Sequence, residues 1–324
     1  MTKNKLVIFL AVFISVSFMG CKKTEHKKIR FGCIGLDQMH SPAVMVMKEK
    51  KLLEAAGFAV EWVEFLTGAY AMQEMAASSI DFASCGASPI MIAHSQGTAL
   101  VILAGANEEG SSLVVDNSIH TIKDLEGKRI GTPGTGSIQD TMLAQWARVN
   151  KIWIRRVAVQ VADMPDLLQK KEIDGFISWA PHPARAVENR DGHELLTSYD
   201  MMPHHQCCVL VTRDDILRDD YDTVNKVLEV YLAAYKWFLA NHEESIKLMV
   251  KTTGMHESVI RKSIRTVHYS NPPYCNTESL HNMANGLIEI GRISIKEEDV
   301  EPFLHSLYRP ELLEKITGTR QPHH

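Results

Sequence analysis

The stretch Gly131-Thr-Pro-Gly-Thr-Gly-Ser137, followed at once by Ile138-Gln-Asp-Thr-Met-Leu-Ala-Gln-Trp146, constrains this chain more than any other. Its glycines permit a tight turn, Ser137 suits a helix N-cap, and the residues that follow carry helical periodicity. The segment therefore reads as a turn feeding a helix, with Lys128-Arg-Ile130 as the strand before it. Free N–H groups and the positive end of a helix dipole then converge on one spot, a setting for an anion or a carbonyl. Gly131 and Gly136 imitate the spacing of a phosphate-binding P-loop, yet Ser137 stands where its lysine belongs. Gln139 likewise stands where a dinucleotide fingerprint needs its third glycine. The loop is expected to hold a small polar ligand, not a nucleotide.

At 324 residues and 45% hydrophobic, the chain is globular and long enough for two domains. Its formal charge is −4, and no basic stripe follows the extreme N-terminus, so nucleic-acid binding has no support. Lys3 and Lys5 precede an apolar run, Leu6 to Phe18, and then Met19-Gly20-Cys21. That run is shorter than the roughly 20 residues of a membrane span. The pattern resembles a bacterial lipoprotein signal, with residues 1–20 removed, Cys21 lipidated, and 21–28 a tether. The other cysteines, Cys33, Cys85, Cys207, Cys208 and Cys275, are odd in number and lack framework spacing. Adjacent Cys207 and Cys208 are expected to point to opposite faces of a strand.

From Lys28 onward strands alternate with helices. Ile29–Ile34 is a strand and Pro42–Ala56 a helix stopped by Gly57; Val60–Phe65 is a strand and Gly68–Ser78 a helix. Asp81–Cys85 and Ala99–Ala104 are strands, and after the glycine loop Val157–Val161, Asp174–Trp179 and Cys207–Thr212 follow. Helices dominate thereafter. The pattern predicts an α/β protein with two open, mostly parallel sheets and a cleft between two lobes. Ligands bind beyond the carboxyl ends of such strands, where the loops 37–41, 67–68, 85–89, 132–137 and 180–183 lie.

Three segments carry a family resemblance. Ile80-Asp-Phe-Ala-Ser-Cys-Gly-Ala-Ser-Pro89 resembles an I-D-x-G-x-x-G-x-x-P turn, and Leu125 to Ser137 resembles L-K-G-K-x-V-x-x-P-x-G-S. Glu172-Ile-Asp-Gly-Phe-Ile-Ser-Trp-Ala-Pro181 resembles G-x-x-D-A-x-x-x-W-E-P, with Ala180 in place of the usual glutamate. Together they are similar to the solute-binding proteins of ABC importers, in the nitrate/sulfonate/taurine and thiamine-precursor branch. The resemblance implies a two-lobed periplasmic-binding-protein type II fold that closes on ligand by hinge motion. Lobe one would comprise 29–113 and 210–324, and lobe two 114–209, with crossings near 112–116 and 207–213. It implies an ABC permease as partner and a lipid-anchored monomer in the cell envelope. No cofactor, metal or enzymatic activity is expected.

The candidate ligand contacts are Gly134, Thr135, Gly136 and Ser137 from the glycine loop. Cys85, Gly86, Ala87 and Ser88 would form the opposing helix terminus, joined by Gly68 and by His40 and Ser41. Trp179 and His182 could stack on a planar ligand, with Tyr70 a weaker candidate. Opposed helix dipoles suit a sulfonate, nitrate or carboxylate; the aromatic and histidine set suits a thiamine-pyrimidine-type heterocycle. The motif resemblance favours the sulfonate-type anion. His204, His205, Cys207 and Cys208 carry metal-ligand chemistry, but no second pair follows with ligand spacing. A metal-assisted pyrimidine synthase using His40 and this cluster is the rival reading, and a cytosolic-facing sensor domain a third.

Overall fold

A computed structural model describes residues 26–35 and 37–321; the signal segment and Cys21 lie outside the described residues. One five-stranded sheet is built on β1 (Lys27–Ile34), β2 (Phe58–Phe65), β3 (Phe82–Gly86) and β4 (Leu100–Gly105). A two-residue strand β5 (Glu108–Glu109) follows. The second five-stranded sheet takes β6 (Ser111–Val115), β7 (Arg129–Thr132), β8 (Arg155–Ala158), β9 (Gly175–Trp179) and β10 (His193–Thr197). The chain then returns to the first sheet as β11 (Cys208–Arg213), and β12 (Val267–His268) pairs with β5.

The strand orders are β2-β1-β3-β11-β4 and β10-β6-β9-β7-β8. Both sheets are mixed, yet four of the five strands in each run the same way, as expected of mostly parallel sheets, and one runs against them. β1 runs parallel to β2 and β3, and β7 parallel to β8 and β9, whereas β11 and β6 are antiparallel to their neighbours. The cause is the crossing itself: a strand that arrives from the other sheet enters from the opposite end. Strands β3, β6 and β9, and β4 although it ends its sheet, are almost wholly buried runs, as strands covered on both faces must be. Edge strand β2 alternates instead, exposing Ala59, Glu61 and Glu64.

Helices α1 (Pro42–Glu49), α2 (Leu52–Ala55), α3 (Gly68–Ala76) and α4 (Ala87–Ser95) serve the first sheet, and α5 (Ile138–Val149), α6 (Met164–Gln169) and α7 (His182–Glu188) the second. The helix expected over Pro42–Ala56 is broken at Lys51, which takes a left-handed φ of 51°. Each sheet pins its first parallel strand with an arginine. Arg30 Nη2 lies 2.6 Å from Asp81 Oδ1, and Arg129 Nη2 lies 2.9 Å from Asp174 Oδ1. The aspartates of two of the resemblance motifs are therefore strand anchors, not ligand groups.

The sheets are joined by residues 106–110 and 202–207, since Ser111 already belongs to β6 and Cys208 to β11. Two buried amides brace these passes. Gln206 Nε2 donates to the Asn107 and Cys208 carbonyls, each at 3.0 Å, and the Cys208 N–H donates to Asn107 Oδ1 at 3.1 Å. Gln206 also ties the pair to the helix Thr277–Glu289: its N–H donates to Ser279 Oγ at 2.6 Å, and its Oε1 accepts from the Asn276 N–H at 2.9 Å.

Candidate functional site

The register of the parallel pairs decides where the cleft opens. Ile34 faces Phe65 across β1 and β2, and Thr132 faces Ala158 across β7 and β8. These carboxyl ends point at one another, and between them lies a cavity of about 770 Å³. The first sheet contributes Ile34, Glu64, Phe65, Thr67, Tyr70 and Gln73. The second contributes Pro133, Gly134, Thr135, Ser137, Val159, Gln160 and Trp179. Among the described residues the lining holds three large aromatic rings and several hydroxyls and amides, but no lysine or arginine; the one carboxylate among them, Glu64, is paired with Lys48.

The loop before α5 is tied to its own helix. Ser137 caps α5, its Oγ accepting from the Asp140 N–H at 3.2 Å. Asp140 in turn accepts from the Gly136 N–H at 3.0 Å and from Arg156 Nη1 at 2.6 Å. A protein carboxylate thus occupies part of the positive helix end that sequence reasoning reserved for ligand. Gly136 has a φ of +82°, and a Cβ there would lie 2.9 Å from Ile92 Cδ1 across the cleft, so a side chain would strain the backbone and push that methyl aside.

A family model described as the NMT1-like family matches residues 22–253. The chain belongs to the NMT1-like family. It is 24% identical over 284 residues to the taurine-binding periplasmic protein of Escherichia coli, covering 82% of this chain and 86% of that protein. The periplasmic nitrate-binding protein of Synechocystis matches with a TM-score of 0.79 at 15% identity, over 91% of this chain and 89% of that one. The alkanesulfonate-binding protein of Xanthomonas axonopodis, solved bound to MOPS, matches with a TM-score of 0.70 at 17% identity. That alignment covers 85% of this chain and 97% of its counterpart. The two-lobed binding-protein fold is shared with these structures.

In this NMT1-like chain the cavity collects Gly134, Thr135, Ser137 and Trp179 from the sequence-derived candidates, together with the weaker candidate Tyr70. A smaller chamber beneath it, about 30 Å³, is lined by His40, Gly68, Gly86, Ser137, Trp179, Cys207 and Cys208, with Asp37. The remaining candidates face elsewhere. Ser88 Oγ donates to the Gly136 carbonyl at 3.0 Å and lies 3.0 Å from Thr141 Oγ1, so it joins α4 to the α5 loop instead of lining the cavity. Ser41 Oγ is 2.8 Å from Ser84 Oγ within the first sheet's core. Cys85 and Ala87 are fully buried, and burial pushes the Cys85 thiol up. His182 packs edge-on to Trp179 at 6.3 Å; burial, with Arg185 and His40 adding to it, lowers its pKa to about 4.

Residues that sequence reasoning missed come from the end of β2 (Glu64 and Phe65), from α3 (Gln73) and from the loop after β8 (Val159 and Gln160). The carboxyl-end rule could have found them, since both strands were legible. Cys207 and Cys208 require a further correction. Their Sγ atoms are 4.0 Å apart and face one chamber, because Cys207 precedes the strand and strand alternation does not apply to it. His40 Nδ1 is 3.3 Å from Cys207 Sγ, and Cys208 Sγ is 3.5 Å from Asp37 Oδ2. Cys207 is held well below the usual thiol range by the Cys208 thiol acting as donor and, against burial, by the His40 and His205 imidazoles. Cys208 is pushed up by the same bond and by burial. Burial lifts Asp37 to about 6.

Proposed function

We propose that this protein is the extracytoplasmic solute-binding component of an ABC importer, closing its lobes on a small organic anion of the sulfonate class. One observation carries the reading: a cavity between two sheets, lined by hydroxyls at a helix N-terminus on one side and aromatic rings on both, with no basic side chain among the described residues. Thr135, Ser137 and the α5 end engage the anionic head by dipoles and hydroxyls, while Phe65, Tyr70 and Trp179 cover its apolar body. Such a grip suits a monoanion and leaves a dianion undercompensated. The relatives bind taurine and alkanesulfonate, which supports the class. Binding and lobe closure, not turnover, are its activity. Lipid on Cys21 holds it to the envelope, a reading supported by the signal pattern; no described helix is long and apolar enough to cross a membrane.

A second cargo, a planar heterocycle, is favoured by the three aromatic rings and the amides of Gln73 and Gln160. Melting scans with aliphatic sulfonates, taurine, nitrate and hydroxymethylpyrimidine separate the two. The proposal expects a rise with a sulfonate, with Kd weakened at least tenfold in Tyr70→Ala. Tyr70 is 54% exposed, so its loss leaves the melting temperature of the free protein nearly unchanged. A rise with the pyrimidine alone overturns the sulfonate assignment.

A further inference from the structure

The chamber at the floor of the cleft has chemistry that binding an organic solute leaves unused. Its volume, about 30 Å³, suits one ion or one water and nothing larger. Around it stand two thiols, an imidazole and a carboxylate, all at least nine-tenths buried. Ordinary packing would favour apolar groups there, because a buried polar atom without a partner is costly. Asp37 Oδ1 has no hydrogen-bond partner among the described residues.

We propose that His40, Cys207 and Cys208 form a zinc site, leaving the fourth position to an exogenous ligand beside the Asp37 carboxylate. The ligand atoms of the three lie within 4.8 Å of one another, although His40 and Cys207 are 167 positions apart. A tetrahedron with Zn–S of about 2.3 Å and Zn–N or Zn–O of about 2.1 Å has edges of roughly 3.4–3.8 Å. Within the trio, the 3.3 Å from Cys207 Sγ to His40 Nδ1 and the 4.0 Å between the sulfurs bracket those edges. The Asp37 carboxylate stands beside them, one oxygen 3.5 Å from Cys208 Sγ and the other 3.7 Å from His40 Nδ1. Soft sulfur donors with one imidazole select a thiophilic ion over magnesium or calcium.

The ring is seated from behind by backbone. Gly110, with φ +93°, abuts His40, and a Cβ there would lie 2.6 Å from Nε2. Nδ1 is therefore turned toward the sulfurs. The site takes its ligands from the loop after β1 and from the second pass between the sheets, and it lies below the larger cavity. Metal and cargo can be assayed separately, so failure of one proposal leaves the other standing.

The test uses the full chain, reduced and stripped with a chelator, then titrated with Zn(II) alone. One zinc per chain is expected, and Co(II) in its place should give thiolate-to-cobalt charge transfer in the near-ultraviolet. Cys207→Ser, Cys208→Ser and His40→Asn should each weaken zinc by more than the ~10–100-fold that loss of an outer partner costs. Cys275→Ala and His204→Gln, outside the cluster, should retain it, which separates the site from a general thiol or histidine effect. Circular dichroism of each variant checks folding, and the cobalt spectrum reports thiolate ligation directly in the unsubstituted chain. Absence of stoichiometric zinc, a cobalt spectrum without thiolate bands, or equal affinity in folded Cys207→Ser and Cys208→Ser would each overturn the proposal.

Discussion

Replacing Ser88 with alanine removes the hydroxyl that joins the start of α4 to the loop before α5. In the structure this group is fully buried, donates to the Gly136 carbonyl and meets Thr141 Oγ1, each at 3.0 Å. Its loss leaves one or both partners buried and unmatched, a cost of about 1–3 kcal/mol. Once the lobes part, water satisfies both, so the cost falls on the closed form alone. Solute affinity, which draws on closure, should drop between about 5-fold and 150-fold. Calorimetric titration with the sulfonate that raises the melting temperature most measures this. Ser41→Ala is the matched control, because its partner Ser84 lies in the same sheet. It should cost about 1 kcal/mol of stability and leave affinity unchanged. If folded Ser88→Ala bound solute as tightly as the parent, the bond would not be part of closure and the reasoning would fail.

Asp140→Ala should lower the free energy of unfolding by about 2–3 kcal/mol, read as a shifted urea midpoint at constant slope. A fully buried pair is worth more, but Arg156 and Arg292 keep about a third of their surface in water. A loss below about 0.5 kcal/mol would reduce Asp140 to a surface charge. His182 supplies a pH dependence. Its folded pKa, about 4, lies below its ordinary 6.5, so the unfolded chain binds the proton more readily between them. Stability attributable to His182 is complete above pH 6.5 and falls as pH drops toward 4, by about 3 kcal/mol. His182→Gln should flatten that acid limb, and an unchanged limb would remove His182 as its source.

Much of the architecture could be read because the signals were local. β1, β3 and α3 fall within two residues of their sequence-derived ranges, since periodicity and glycine stops act over one element. The cleft position followed from the carboxyl-end rule, and four of the predicted contacts line the main cavity. What sequence hid was how nearby groups satisfy one another. Ser88 and Ser41 carry the right chemistry, but each spends its hydroxyl on a distant partner. Asp140, three residues past the cap, competes for the helix end that was assigned to ligand. The His40–Cys207–Cys208 juxtaposition depends on the return of β11 beside β3, a long-range pairing that spacing does not encode.

The amide brace between Asn107 and Gln206 bears on how such a molecule moves. Two passes locked to each other and to the helix Thr277–Glu289 cannot twist independently, so they behave as one stiff rod. Any swing of the second sheet must then be absorbed at the rod's ends, where the first pass enters β6 and the second leaves the helix Ser198–Met201. The mouth, where Phe65 and Tyr70 face Val159 and Gln160, would gape widest, while His40, Cys207 and Cys208 beside the rod would move least. Cargo could come and go many times with that trio held together.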